Sequence, residues 1–451
     1  MGGARGNRSA ERKLLALDDN SVAGGAVIGQ RVRSIGGRAV ALGLPHYLVS
    51  ILAIQGTTYA AQLIMARMLG PHDFGVVRSV EAIVAIALVF GSAGMPSLAI
   101  KSIAEAAEEG TRGRVLQRLL TLAIAVGILT ALVTAAISGL FFDATTTDFA
   151  RALVWLVPIS AIARTALNYH QGVKSVHRVA LLAAVMSVVS LILTVVLVDG
   201  WRLTGWIGAR YLSEALLAGT MLWTVRRVLT ARMSAPAEFS YGSLLHLGIA
   251  IAASLLVRTG VDNLGVLAMG YVGVARSDIG YFGVASLIAS ALLLVPGALS
   301  NLSLPAIIES FGVRRRVERT AMKLLLAGLA FSLPLVAVLM WLAPVLARVF
   351  APAYLPGIPI IRILMLAVPL RAATSTAGAV LLAAGRVHST LVINLLTLAV
   401  GFAALGLLVP AHGATGAAIA TVVMETCSTL AAVGWAVRAV RLGPVTRLAQ
   451  A

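Results

Sequence analysis

The chain has 451 residues, 59% of them hydrophobic, and a formal net charge of +18. Soluble domains hold roughly 45–50% apolar residues, so this composition, with a mean hydropathy of +0.94, excludes an ordinary soluble protein. The single cysteine, Cys427, excludes an internal disulfide and any multi-cysteine metal site, and the positive charge gathers in short loops, a membrane signal rather than a nucleic-acid one.

Residues 1–41 are rich in Gly, Arg and Ser and hold no long apolar run. They lack the compact charged-then-apolar pattern of a cleavable signal and read as a mobile basic cytoplasmic tail. Apolar runs of membrane-spanning length then follow near 44–68, 76–100, 117–140, 152–171, 179–198, 203–225, 243–269, 279–308, 322–347, 357–383, 388–409 and 413–437. Lipid-exposed backbone must satisfy its own hydrogen bonds, and these runs are too long for barrel strands. The expected fold is therefore all-α: a polytopic membrane protein of about 12 helices in two six-helix lobes. The lobes occupy 42–228 and 243–440, joined by a linker at 229–242, with a tail at 441–451. Pro296, Pro305 and Pro334 are expected to kink the long spans that hold them.

Orientation follows from the loops. The loops on the tail side and the two tails hold 25 Lys and Arg, against seven on the opposite side. The positive-inside rule places both termini in the cytoplasm; the expected location is the inner membrane. The two halves also repeat. Asp73-Phe74-Gly75 aligns with Asp278-Ile279-Gly280 at an offset of 205. Arg151, Pro158, Thr204-Gly205 and Glu214 align with Arg362, Pro369, Thr415-Gly416 and Glu425 at 211. Halves of six spans share one orientation, so an axis along the membrane normal should relate them.

Charge inside the spans marks the candidate site, because each mid-bilayer ion costs at least roughly 2.5–3.5 kcal/mol if it faces lipid. Arg258 and Asp262, Arg210 and Glu214, and Arg78 and Glu81 stand at helical spacing and read as ion pairs or coupling groups. Arg164 and Arg371 have no acid within a turn; Arg164 has Asn168 nearby, and Arg371 has Thr374 and Ser375. A guanidinium without a local partner offers a planar fork that matches phosphate oxygens. The expected substrate-binding set is thus Arg164, Arg258, Arg371, Arg78 and Asn168, with Arg164, Arg258 and Arg371 lining a space between the lobes. Glu425 has no base at helical spacing and reads as a protonated or coupling acid. No nucleotide, zinc-protease or nucleophile-elbow motif is present in the sequence. No enzyme activity, metal or cofactor is therefore expected.

Leu69-Gly70-Pro71-His72-Asp73-Phe74-Gly75 resembles the LGPxxFG signature of polysaccharide-biosynthesis membrane proteins, the lipid-linked oligosaccharide flippases. These belong to the multidrug/oligosaccharidyl-lipid/polysaccharide exporter superfamily. Asp262 through Gly283, Ala353-Tyr354, Leu382 through Arg386, Asn394 and Gly413 through Ala418 are similar to later parts of that family. The resemblance implies two lobes, alternating access around a cationic cavity, and a polyprenyl-pyrophosphate-linked sugar as substrate. It leaves proton or sodium coupling open and brings in the bilayer and polysaccharide polymerase and chain-length machinery as partners. A cation-coupled multidrug exporter and a lipid II-type precursor flippase are the alternatives on the same fold.

The topology is directly testable. Asp73→Cys, with Cys427 replaced by Ala, should react with an impermeant maleimide on intact cells. Reaction only after permeabilisation would invert the assignment.

Overall fold

The computed structural model describes residues 44–106, 108–173, 175–230, 239–310, 314–350 and 352–442. The expected tail 1–41, linker residues 231–238 and tail residues 443–451 lie outside them. The chain divides into Met1–Ala53 and Ile54–Ala451. Of the described residues, the first unit holds only the opening turns of the first helix, and the second holds all the rest. The described residues hold helices and turns and no strand.

The helices are α1 (Leu44–Ser92), α2 (Met95–Glu105), α3 (Glu109–Ile137), α4 (Ala144–Leu153), α5 (Leu156–Gly172), α6 (Val176–Thr230), α7 (Tyr241–Val272), α8 (Arg276–Leu292), α9 (Leu294–Ser310), α10 (Arg314–Phe350), α11 (Ile358–Met365), α12 (Ala367–Ala383) and α13 (Val387–Leu442). Eight helical segments among the described residues are long and apolar enough to cross a membrane, where the sequence predicts 12 spans. Three of these segments contain a non-helical residue: Gly70 in α1, Arg202 in α6 and Gly413 in α13. Gly70 and Arg202 fall between predicted spans, and Gly413 is the first residue of the predicted span 413–437. Exposed Leu181, Val185, Val188, Ile192 and Val196 stand three or four residues apart along α6. They form a continuous apolar outer stripe, the face a membrane helix presents to lipid.

Proline explains the breaks inside predicted spans. Helices stop at Ala93, at Val154–Trp155, at Leu293 and at Leu366, and a proline follows within three or four residues each time: Pro96, Pro158, Pro296 and Pro369. The ring has no N–H and collides with the carbonyl four residues back, so the helix restarts just ahead of it. Pro334 and Pro344 instead sit inside the continuous α10.

The internal repeat is visible in the backbone. Arg202 (φ 52, ψ −126) and Gly413 (φ 56, ψ −132) are 211 residues apart and adopt the same conformation. A Cβ on Gly205 would strike the Leu197 carbonyl, and one on Gly416 the Leu408 carbonyl; these pairs too are 211 apart. At the other offset the contact becomes reciprocal. A Cβ on Gly75 would collide with the Arg276 carbonyl, and one on Gly280 with the Pro71 carbonyl. Positions 71 and 75 correspond to 276 and 280 at 205, so the two repeated motifs cross against each other as an isologous pair does.

That crossing explains the signature residue by residue. Gly70, at φ 78, takes a conformation other residues avoid, and Pro71 opens the next helical stretch, where its missing N–H costs nothing. Asp73 sits in that first turn, where a carboxylate is favoured, 3.7 Å from Arg202. Phe74 is fully buried. One core then spans the seam, joining Phe74, Val77 and Val80 to Val284, Leu287 and Tyr354. The Tyr354 hydroxyl donates to the Ala66 carbonyl at 2.9 Å, and Arg276 pairs with Asp143. The face that carries Asp73 is closed.

Gly75→Ala or Gly280→Ala should lower stability by about 1–3 kcal/mol, because the obstacle is backbone and cannot rotate away. Thermal unfolding of the purified protein checks this. Gly219→Ala, where an added Cβ meets nothing within 4 Å, is the control and should not destabilise. Unchanged melting in both seam variants would mean the crossing tolerates separation.

Candidate functional site

Three helices of the second half build an ionic centre. Ser240 caps α7 by accepting the Ser243 N–H at 3.3 Å. Further along α7, Arg258 and Asp262 stand one turn apart, and Arg258 Nε donates to Asp262 Oδ2 at 3.2 Å, as their spacing predicts. Helix α12 packs on α13, and α13 on α7. This brings Arg371 of α12 between Asp262 and Glu425 of α13. Arg371 Nε donates to Glu425 Oε1 at 2.5 Å, and Nη2 donates to Asp262 Oδ1 at 3.0 Å.

As the spacing shows, Arg371 has no acid and Glu425 no base within a turn of its own helix; each finds its partner on another helix. Neither partner lies on the other's helix, so spacing along one helix could not reveal the pairing. Burial makes the pairing necessary: the Glu425 side chain is 7% exposed and that of Arg371 23%, and an unmatched charge there would be costly. The Thr429 hydroxyl donates to the Leu370 carbonyl at 3.0 Å and lies 2.9 Å from that of Thr374, tying α12 to α13 one turn from the ion pair.

Arg258, Arg371 and Glu425 line a cavity of about 800 Å³ together with Lys101 of α2 and His388 and Asn394 of α13. Its wall is therefore mostly second half, with a contribution from the first. Lys101 lies near the end of α2 and His388 near the start of α13. The first stretch of α13, 26 residues from Val387 to His412, is about 39 Å long at 1.5 Å per residue. It ends at Gly413 beside Val274, next to the Arg276 seam. The Lys101–His388 end of the cavity thus lies on the face opposite the one that carries Asp73. Tyr59 of α1 lies within electrostatic reach of Arg371, Arg78 and Asp262.

The remaining predicted residues are elsewhere. Arg164, Arg210, Glu214 and Glu81 line a separate cavity of about 350 Å³ within the first half. The expectation that Arg164 shares one space with Arg258 and Arg371 is corrected: the structure divides them between two cavities. Arg164 is exposed and donates from Nε to Ser160 Oγ at 3.1 Å. Asn168 is partly buried and lines neither cavity. The expected Arg210–Glu214 pair is not made. Both residues face the small cavity, and Arg210 Nε and Glu214 Oε2 are buried without a hydrogen-bond partner. The repeat supplies a reason: Ser160 stands 211 residues before Arg371, at the place from which an arginine would reach Glu214, and Arg164 lies one turn beyond it. Arg78 pairs with Glu81 at 3.1 Å as predicted, and packs against Gly283 across the seam.

Comparison with known proteins now adds a family. A family model described as "Polysaccharide biosynthesis protein" matches residues 64–350. The chain belongs to that family. Its fold recurs in solved transporters of the MOP superfamily. An inward-facing multidrug resistance MATE family transporter matches with a TM-score of 0.71 at 17% identity, over 87% of this chain and 95% of that one. The lipid II flippase MurJ in an inward closed conformation matches at 0.67 and 15% identity, over 86% and 89%. A MOP superfamily transporter from Pyrococcus furiosus, described as having a binding pocket of reverse polarity, matches at 0.60 and 16%, over 88% and 95%. A comparison with curated proteins finds no match. These likenesses establish the fold of this polysaccharide-biosynthesis family member, a multi-pass membrane protein.

Removing Arg371 should strand Glu425. Arg371→Ala is expected to destabilise by about 3–5 kcal/mol, and Glu425→Gln in the same chain should recover much of that loss. Arg164→Ala, which loses one hydroxyl partner from an exposed side chain, should cost no more than about 1 kcal/mol. Denaturant or thermal unfolding of the three variants checks the order; an Arg371→Ala protein as stable as wild type would break the account of the ionic centre.

Proposed function

We propose that this family member is a flippase that moves a polyprenyl-pyrophosphate-linked oligosaccharide from the cytoplasmic to the outer leaflet of the inner membrane, for surface polysaccharide assembly. The supporting observation is a cavity in which bases outnumber acids. Lys101, Arg258 and Arg371 line it against Glu425, and its Lys101–His388 end lies on the face that the loop charges assign to the cytoplasm. A pyrophosphate entering there meets Lys101 near the mouth and two guanidinium forks deeper in. The polyprenyl tail stays in the bilayer, in contact with the apolar flanks of α7 and α12.

Release on the other side requires the closed seam to part and the cytoplasmic mouth to shut. We read this as a rocking of the two halves about the crossing of Gly75 and Gly280, the alternating access of repeat-built transporters. In this reading Glu214, with one buried oxygen unpartnered, is the group to which a coupling proton or sodium ion would bind. The chain carries out translocation and no bond-making chemistry. A lipid II-type precursor presents the same pyrophosphate to the same arginines and is the second reading, favoured by the fold shared with the lipid II flippase. A cationic drug as substrate is disfavoured by the excess of bases.

The test is complementation of a host that lacks its own polysaccharide flippase, with surface polymer normalised to protein in the membrane. Arg258→Gln and Arg371→Lys keep Glu425 and Asp262 partnered while removing a forked contact. Each should lower polymer by more than about tenfold. Full polymer from the chain carrying both would remove these arginines from the transport path.

A further inference from the structure

Asp262 occupies an unusual place. Its carboxylate offers one oxygen to each arginine, Oδ2 to Arg258 Nε at 3.2 Å and Oδ1 to Arg371 Nη2 at 3.0 Å. A phosphate held between two guanidinium groups makes the same pattern, one oxygen per fork. We propose that Asp262 is a built-in occupant of the anion site, filling the position of the substrate's phosphate until the substrate displaces it. This rests on the reading above, that Arg258 and Arg371 receive the headgroup.

The two acids on Arg371 differ in a way that assigns them different roles. Glu425 is 7% exposed and grips the Nε edge at 2.5 Å, so it is the fixed partner that orients the guanidinium. Asp262 is 38% exposed and its partner Arg258 50%, and Arg258 and Arg371 both line the cavity. Of the two acids Asp262 is the more exposed, so it is the one that can be displaced. Its departure frees Nη2 of Arg371 and the inner edge of Arg258 together, from two helices at once.

The consequence is selectivity. A tethered carboxylate competes at an effective concentration in the millimolar range or above. A free monocarboxylate exchanges like for like and gains nothing over it. Pyrophosphate brings more charge and more oxygens, and can engage both forks where the carboxylate spends one oxygen on each. Asp262 therefore sets the strength of anion that enters the site, and it keeps the two guanidinium groups neutralised when the cavity is empty.

The experiment uses the full chain in nanodiscs and inorganic pyrophosphate as the probe, with binding measured by equilibrium dialysis per mole of monodisperse protein. Asp262→Asn should bind pyrophosphate about tenfold or more tightly than wild type, and should also acquire binding of acetate, a monocarboxylate. Asp262→Ala is the second variant, should Asp262→Asn not yield folded protein. Glu425→Gln removes the same charge from the same arginine but not from the occupied position, and should give a much smaller gain. Arg258→Gln added to Asp262→Asn should abolish the gain. Equal gains from Asp262→Asn and Glu425→Gln would show a general field effect and overturn the occupancy proposal. Unchanged binding in both Asp262 variants, with binding still lost in Arg258→Gln, would overturn it while leaving the anion site standing. Absence of pyrophosphate binding in every chain, Asp262→Asn included, would sink the anion site itself.

Discussion

A guanidinium in the interior of a membrane protein cannot shed its charge, so something must meet it. In this protein that constraint acts most strongly at Arg371. Its two edges are taken by acids from two other helices, Glu425 from α13 and Asp262 from α7. The ion pairs thereby fix how three helices stand to one another, and they do so at the wall of the larger cavity. Packing and site chemistry are the same contact here. The arrangement that keeps a buried cation tolerable also sets Arg258 and Arg371 in the cavity wall.

The second organising constraint is steric. Two copies of one motif cross so tightly that neither glycine can carry a side chain, and each faces the other's carbonyl. A reciprocal contact of this kind follows when a duplicated element folds against its own copy. Around it the apolar residues of both halves merge into one core, and Tyr354 and Arg276 add polar ties. Backbone contact at a glycine crossing closes without interlocking long side chains.

The duplicated halves have diverged in charge more than in backbone. Arg202 and Gly413 share a break, and Gly205 and Gly416 share a close approach. Yet at the position of Arg371 the first half carries Ser160, and its arginine, Arg164, lies a turn away. The acid at the shared position, Glu425, is ion-paired in one half, while Glu214 keeps a buried unpartnered oxygen in the other. The second half thus holds a paired ionic centre, and the first an acid with one buried oxygen unpartnered.

Much of this was legible in the sequence. Apolar run length marked the helices, because a backbone in lipid has little choice but to hydrogen-bond within itself. The Asp-x-Gly and Thr-Gly repeats marked the duplication, the breaks at Gly70 and Arg202 fell between predicted spans, and that at Gly413 fell at the start of one. The pairs Arg258–Asp262 and Arg78–Glu81 were readable because a single helix sets the distance between residues three or four apart. Spacing did not suffice for Arg210 and Glu214, since sharing a face does not settle which way two side chains turn. Nor could it show that Arg371 meets Glu425, 54 positions on, and Asp262, 109 back. It could not show either that Arg164 opens on a different cavity. The sequence by itself determined what each helix carries on its face. Which faces meet was decided only by the packing of helices remote in the chain, and that is a property of the whole fold rather than of any segment.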